Sequence, residues 1–214
     1  MESSQAKGCL SDTRYRKMSM AKRLLIVKAS DDICTAEVDQ LKSIASMFGM
    51  NHCVCELKTV EEFKLGLCAS SDKYDYIYVA ARADLMGFGT QDRSVNIGWS
   101  EFAAALCETN CLNPECILLL GCCRDGLKQV AFTLFFSCDQ IDYICGPRWT
   151  VTSADLTAGF HVFVYNMEVR KEQPSTAVDR ASKATNYEFF CYDRVEVEDE
   201  IQSFLKIQSK PRSG

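Results

Sequence analysis

Several signatures of common functional classes are missing from this 214-residue sequence. It has only two histidines and no C-x-x-C pair, and it contains neither G-x-G-x-x-G nor G-x-S-x-G. No apolar run approaches the ~20 residues that span a bilayer, and the N-terminus has no apolar signal-peptide region. These absences argue against a structural zinc site, a dinucleotide-binding domain, a serine hydrolase and a membrane anchor. They predict a cytoplasmic protein.

The charge balance and the cysteine content exclude further classes of protein. The chain has 24 basic and 29 acidic residues and a net charge of -5, which argues against nucleic acid or an anionic membrane as the main partner. Its 13 cysteines are an odd number in a chain too long for a disulfide scaffold, so most are expected to be small buried hydrophobic side chains. No metal or cofactor is expected. The length favours one domain over residues 22–208, with a flexible leader at 1–21 and a flexible tail at 209–214.

Strand-like and helix-like segments alternate along the chain. Short apolar runs predict strands at Leu24–Ala29, Cys53–Leu57, Tyr74–Ala81, Cys116–Gly121 and Ile141–Cys145, with an edge strand at Glu188–Tyr192. Helical spacing predicts helices between them, one of them capped by Ser153, and a charged helix near Ile201–Ile207. We interpret Arg82–Gly98 as a loop. The alternation predicts an α/β fold with a mostly parallel central sheet and helices on both faces, in which Ile117–Leu120 is fully buried.

In such sheets, ligands and catalytic groups gather where the strands end. The segment Gly121-Cys122-Cys123-Arg124-Asp125-Gly126 directly follows the most apolar strand. A cysteine between a strand end and a helix start lies where the helix dipole lowers a thiol pKa. The alternative is that both cysteines are simply core residues of a cysteine-rich chain.

The order of motifs resembles that of the CHAT-type, caspase-like cysteine peptidases, relatives of caspases and separase. The matching segments, from about Tyr74 to Thr185, read YDYIYVAARADLMGFG, GWSEFAAAL, LLLGCCRDG, YICGPRWTV, GFHVFVYNM and TAVDRASKA. The resemblance implies a caspase-like fold with Cys123 in the nucleophile position. It implies further roles near that cysteine: backbone stabilisation of an oxyanion at Gly121 and Arg124, and a substrate groove at Ala83, Asp84 and Trp149.

One departure from the family pattern bears on activity. Where the family has a catalytic His-Gly, this sequence has Arg82-Ala83. Arginine can stabilise a thiolate by charge but cannot exchange a proton at any relevant pH. The two histidines do not obviously replace it, because His52 opens the second predicted strand and His161 lies inside a predicted helix.

Two functions therefore remain open. The first is a caspase-like CHAT domain with impaired catalysis that acts as a regulatory or peptide- and protein-binding module. The second is an active cysteine endopeptidase that uses Cys123. Its base would then come from another chain, or residues 82–83 of this sequence would be substitutions for the catalytic residues. Both predict that Arg82 and Cys123 lie close together at the ends of neighbouring strands. A TIR-like or flavodoxin-like signalling domain shares the β/α alternation, but the sequence lacks a convincing catalytic glutamate or phosphate-binding loop for it.

Overall fold

A computed structural model describes residues 21–29, 35–122 and 128–200 of the chain. Their strands are β1 (Arg23–Lys28), β2 (Asn51–Glu56), β3 (Tyr74–Ala80), β4 (Arg82–Ala83), β5 (Gly87–Gly89), β6 (Asn96–Gly98), β7 (Leu112–Leu120), β8 (Ile141–Pro147) and β9 (Phe189–Asp193). The helices are α1 (Thr35–Met47), α2 (Val60–Ala69), α3 (Trp99–Glu108), α4 (Lys128–Ser137), α5 (Ser153–Tyr165), continued by a π-helical turn at Asn166–Arg170, and α6 (Pro174–Thr185). Residues 194–200 are helical as well.

The central sheet has six strands in the order β2-β1-β3-β7-β8-β9. The first five are parallel to one another, and β9 pairs antiparallel with β8 at one edge. One apolar layer joins the sheet to α2, α3 and α4, and the other joins it to α1, α5 and α6. The predicted α/β fold, with a mostly parallel sheet covered on both faces, is confirmed.

The strand β7 lies inside the sheet between β3 and β8. Its residues Ile117–Leu120 are all buried, as the uninterrupted apolar run predicts. Strands covered on both faces need apolar side chains on both sides. The position of β7 places Gly121 and Cys122, which follow it, near the middle of the sheet edge where the parallel strands end. This edge is called the carboxyl edge below.

The segment predicted as a loop at Arg82–Gly98 is instead a small antiparallel sheet of β4, β5 and β6. Its glycines allow the close pairing: a Cβ on Gly87 would lie 2.2 Å from the carbonyl oxygen of Ile97, and one on Gly89 would lie 1.9 Å from that of Val95. Strands of two or three residues are too short to show an alternating apolar pattern, which is why the sequence did not predict them.

The structure corrects one smaller prediction and confirms another. The N-cap of α5 is Thr152 rather than Ser153, because the Thr152 hydroxyl accepts a hydrogen bond from the N–H of Asp155 at 3.2 Å. The predicted edge strand is confirmed as β9. The predicted helix near Ile201–Ile207 and the predicted tail lie outside the described residues, as does nearly all of the predicted leader.

Candidate functional site

The carboxyl ends of β3 and β7 lie side by side. Tyr78 pairs with Leu119 and Val79 with Leu120, and the N–H of Gly121 continues this pairing by donating to the Val79 carbonyl oxygen at 2.8 Å. The segments that carry Arg82 and Cys123 therefore leave neighbouring strands. Cys123 and Arg124 lie outside the described residues, so the predicted contact between Arg82 and Cys123 stays a prediction.

Arg82 and Ala83 form β4 immediately beyond the end of β3. Arg82 pairs with Gly89 and is exposed, whereas Ala83 pairs with Phe88 and packs half-buried against the apolar layer of α2, α3 and α4. Arg82 is thus at the carboxyl edge and accessible to solvent.

Asp84 organises the turn between β4 and β5. Its Oδ1 accepts hydrogen bonds from the N–H groups of Met86 at 2.8 Å and Gly87 at 3.2 Å. Its backbone carbonyl accepts a hydrogen bond from Nε1 of the buried Trp99 at 3.0 Å. These bonds fix the turn that follows Arg82, so Asp84 holds this wall of the predicted groove in place.

Cys122 is a core residue. Its side chain is buried in the layer formed with α2, α3 and α4, and its thiol lies 3.4 Å from the Val79 carbonyl oxygen. A thiol in that position does not face substrate. The burial of Cys122 argues against it as the nucleophile, and the prediction that Cys123 is the nucleophile stays a prediction.

Gly121 is held between the sheet and a tyrosine ring. Its N–H is already engaged with Val79. A Cβ on Gly121 would lie 2.3 Å from Cε1 of Tyr78 and 2.4 Å from its hydroxyl oxygen. The structure therefore supports a packing role for this glycine, because only a residue without a side chain fits beside Tyr78.

Two buried polar groups near the carboxyl edge were missed by the sequence analysis. The hydroxyl of Tyr78 and Oε1 of Glu37, in the first turn of α1, are buried and have no hydrogen-bond partner among the described residues. Burial, with a smaller effect from the charges of Glu37 and Cys122, raises the pKa of Tyr78 well above its usual value. Burial also raises the pKa of Glu37, although a hydrogen bond with Ser153 opposes this. Their only sequence signal was a tyrosine in an apolar strand and an acidic residue in a helix's first turn.

A cavity of about 40 Å³ lies beside Tyr78, between the sheet and helices α5 and α6. Its lining is almost wholly apolar and includes Tyr78, Gly121, Cys145, Phe160 and Phe189. The edge of the Tyr78 ring faces Phe160, with 5.4 Å between the ring centroids. The cavity has room for a group of the size of a water molecule or a few methyl groups.

Both histidines of the chain lie away from the ends of β3 and β7. His52 is exposed in β2, opposite Leu24 near the amino ends of the strands, as predicted. His161 lies in α5 and packs edge-on against Phe48, with 5.6 Å between the ring centroids. Neither imidazole is therefore placed to exchange protons with a group at the carboxyl edge.

Trp149 follows β8, on the side of β7 opposite to Arg82. Its side chain is 62% exposed, and its Nε1 donates to Oε2 of Glu188 at 3.3 Å. Arg148 donates to Oε1 of the same carboxylate at 2.6 Å, and its N–H donates to the Glu188 carbonyl at 3.0 Å. Arg82 and Trp149 thus flank the end of β7, which is the arrangement that a groove across this edge requires.

The described cysteines give no sign of a metal centre. Ten of them are described, all as free thiols, and five of these are buried. No cluster of three or more metal-binding side chains occurs in residues 21–29, 35–122 and 128–200.

None of the helices within these ranges is long and apolar enough to cross a membrane.

Comparisons with known proteins supply no family. No family model matches the chain, and no curated protein matches it. Among solved structures, the chain is similar to the solution NMR structure of a de novo designed Rossmann 2x3 fold protein, with 10% identity and a TM-score of 0.37 over 70% of this chain and 93% of the design. The fold described above rests on the strand order itself.

Proposed function

We propose that this chain is a caspase-like domain of the CHAT type that binds a peptide or protein segment at its carboxyl edge and cleaves amide bonds poorly or not at all. The observation that carries the proposal is the position of Arg82. It stands beyond β3, next to the strand that leads to Cys123, where the family pattern has its histidine.

The argument against efficient catalysis is chemical. Amide cleavage by a thiol needs a thiolate that attacks and an acid that protonates the departing nitrogen. Arg82 can favour a thiolate by its charge, but a guanidinium does not give up its proton. Loss of a positioned acid–base group costs about 10²–10⁴ in rate. Since His52 and His161 both lie away from this edge, neither supplies the missing group.

The argument for binding rests on what flanks β7. The turn after Arg82 presents the exposed side chains of Leu85 and Met86, and the segment after β8 presents Trp149. Large exposed apolar and aromatic side chains on two sides of one edge are typical of a surface that binds a protein segment. The hydrogen bonds of Asp84 and Glu188 hold these two segments in fixed positions, which lowers the entropic cost of binding.

Binding of an immobilised peptide library to the full chain tests this proposal. Trp149→Ala should weaken binding of the selected peptides about tenfold or more, as expected for an aromatic anchor. Phe136→Ala is the matched control, because Phe136 is also an exposed aromatic residue but lies at the end of α4, on the amino side of the sheet. Equal losses in the two variants, or no selective binding by the unchanged chain, would contradict the proposal.

A further inference from the structure

Two thiols face each other across the antiparallel edge of the sheet. Cys145 of β8 and Cys191 of β9 are paired residues in the strand register, and their Sγ atoms are 3.3 Å apart. Cys145 is buried, whereas Cys191 is partly exposed. This pair lies outside the predicted catalytic segment, and the family pattern discussed above assigns no role to it.

The backbone geometry of this pair suits a disulfide. Directly opposed residues in antiparallel strands have Cα atoms about 4.5–5.5 Å apart, within the range that disulfides span. The two sulfur atoms need to approach by about 1.3 Å, from 3.3 Å to the bond length of about 2.05 Å. Rotation of the two side chains supplies such a movement, so the strand pairing need not change.

We propose that Cys145 and Cys191 form a redox-active dithiol that a peroxide oxidises to a disulfide. In the first step the Cys191 thiolate attacks one peroxide oxygen. The S–O bond forms, the O–O bond breaks, and the departing hydroxide takes up the thiol proton to become water. In the second step the Cys145 sulfur attacks the Cys191 sulfur. The S–S bond forms, the S–O bond breaks, and a second water leaves with the Cys145 proton. Two electrons pass from the thiols to the peroxide.

The environments of the two thiols assign these roles. Thiols react with peroxide according to their accessibility and thiolate character. Cys191 is the one that an oxidant can reach from solvent. Burial and the hydrogen bond with Cys191 raise the pKa of Cys145 well above its usual value. Cys145 is therefore a poor first nucleophile, and it is placed to resolve an oxidised Cys191.

The disulfide would join the edge strand covalently to the sheet close to the candidate groove. Beyond this pair, Gly146 pairs with Phe190 and Pro147 with Phe189. The next residue, Arg148, is bonded to Glu188, which also holds Trp149. Oxidation would thus fix the two strands that support the Trp149 side of the groove. Because cytosolic glutathione and thioredoxin keep thiols reduced, the dithiol would be the resting form there.

Peptide mapping of the full chain tests the inference. The chain is reduced with dithiothreitol, exchanged into buffer, treated with hydrogen peroxide, and then alkylated and digested for mass spectrometry. We expect a linked pair of peptides containing Cys145 and Cys191, lighter by two hydrogen atoms than the reduced peptides and separated again by dithiothreitol. The equilibrium constant for unfolding should fall on the order of 100-fold in the oxidised chain, because the link closes a long loop.

Variants separate this pair from the other thiols. Cys191→Ser should abolish the link and the gain in stability, whereas Cys68→Ser, at an exposed thiol in α2, should leave both unchanged. In Cys145→Ala, the oxidised Cys191 should persist long enough to be trapped by dimedone. A peroxide-treated wild-type chain whose disulfides join other cysteines, such as Cys107 to Cys138, or whose Cys191 is oxidised to sulfinic acid without a link, would overturn the inference.

Discussion

The ring of Tyr78 occupies the space that a side chain at position 121 would need. A Cβ on Gly121 would lie 2.3 Å from the ring, and the Gly121 N–H is bonded to Val79 in the same strand as the tyrosine. The start of the segment that leads to Cys123 is therefore fixed to β3 by one hydrogen bond and one close packing contact.

Gly121→Ala should destabilise the protein by about 1–3 kcal/mol, because the added methyl group forces the Tyr78 ring or the strand end to move. Urea denaturation measures the change in the free energy of unfolding. Gly66→Ala is the matched control: Gly66 lies inside α2 with no atom within 4 Å of its added Cβ. That substitution should stabilise the protein by about 0.5–1 kcal/mol. If Gly121→Ala stabilises the protein like the control, the close packing described here is incorrect.

Two of the three buried tyrosines of β3, Tyr76 and Tyr78, should respond differently to removal of their hydroxyl groups. The Tyr76 hydroxyl donates to Oε1 of Glu168, whereas the Tyr78 hydroxyl has no partner among the described residues. Tyr76→Phe should therefore lower the free energy of unfolding by about 1–3 kcal/mol, since it removes a hydrogen bond to a charged group. Tyr78→Phe should leave it unchanged or raise it by up to about 2 kcal/mol, since it removes a buried, unpaired polar group.

Thermal and urea unfolding of the two phenylalanine variants, measured side by side, check this contrast. The substitutions are chemically identical and sit two residues apart on one strand. Their difference thus reports the hydrogen bonding alone. A large loss of stability in Tyr78→Phe would reveal a partner for that hydroxyl and contradict the description of it as unpaired.

Glu37 should make the stability of the protein depend on pH. Burial raises its pKa above the ordinary value of 4.5. The folded state therefore holds this proton more tightly than the unfolded state, and the associated stability is present below about pH 4.5 and is lost as the pH rises through the folded-state pKa. Glu37→Gln removes this dependence, so the variant should be the more stable form at pH 8, by about 1 kcal/mol.

The measurement is the difference in unfolding free energy between the wild type and Glu37→Gln from pH 4.5 to pH 8. Glu61→Gln supplies the control, because Glu61 also lies in the first turn of a helix but is exposed. We expect the difference to change with pH for Glu37→Gln and to stay small for Glu61→Gln. A difference that is constant with pH at Glu37 would show that its pKa is the same in the folded and unfolded states, and would contradict the raised pKa.

The sequence predicted the parts of the fold that depend on continuous apolar patterns. The buried apolar run in β7 and the helical spacing of apolar residues were sufficient to predict a mostly parallel sheet with a layer of helices on each face. The short strands β4, β5 and β6 were not predicted, because two or three residues around glycines carry no period. The adjacency of β3 and β7 was predicted only through the resemblance to a family, and the strand order confirms it.

The features that escaped the sequence analysis depend on contacts between distant residues. Whether a tyrosine hydroxyl such as that of Tyr78 is bonded is not visible in a strand pattern. The same holds for Gly121: only glycine fits there, because the ring of Tyr78 on the neighbouring strand occupies the space of a side chain. The facing thiols of Cys145 and Cys191 depend on the register of an antiparallel edge strand, which the apolar pattern of either strand alone does not determine.

The most direct test of the central proposal is the rate of peptide hydrolysis. It is measured for the unchanged chain and for the double variant Arg82→His, Ala83→Gly. A mixed peptide library is the substrate, Cys123→Ala is the blank, and iodoacetamide labelling of Cys123 shows that its thiol is reactive. We predict turnover barely above the blank in the unchanged chain and an increase on the order of 100-fold in the double variant, because the histidine restores proton transfer. Fast turnover by the unchanged chain that Cys123→Ala abolishes would contradict the proposal and identify an active peptidase.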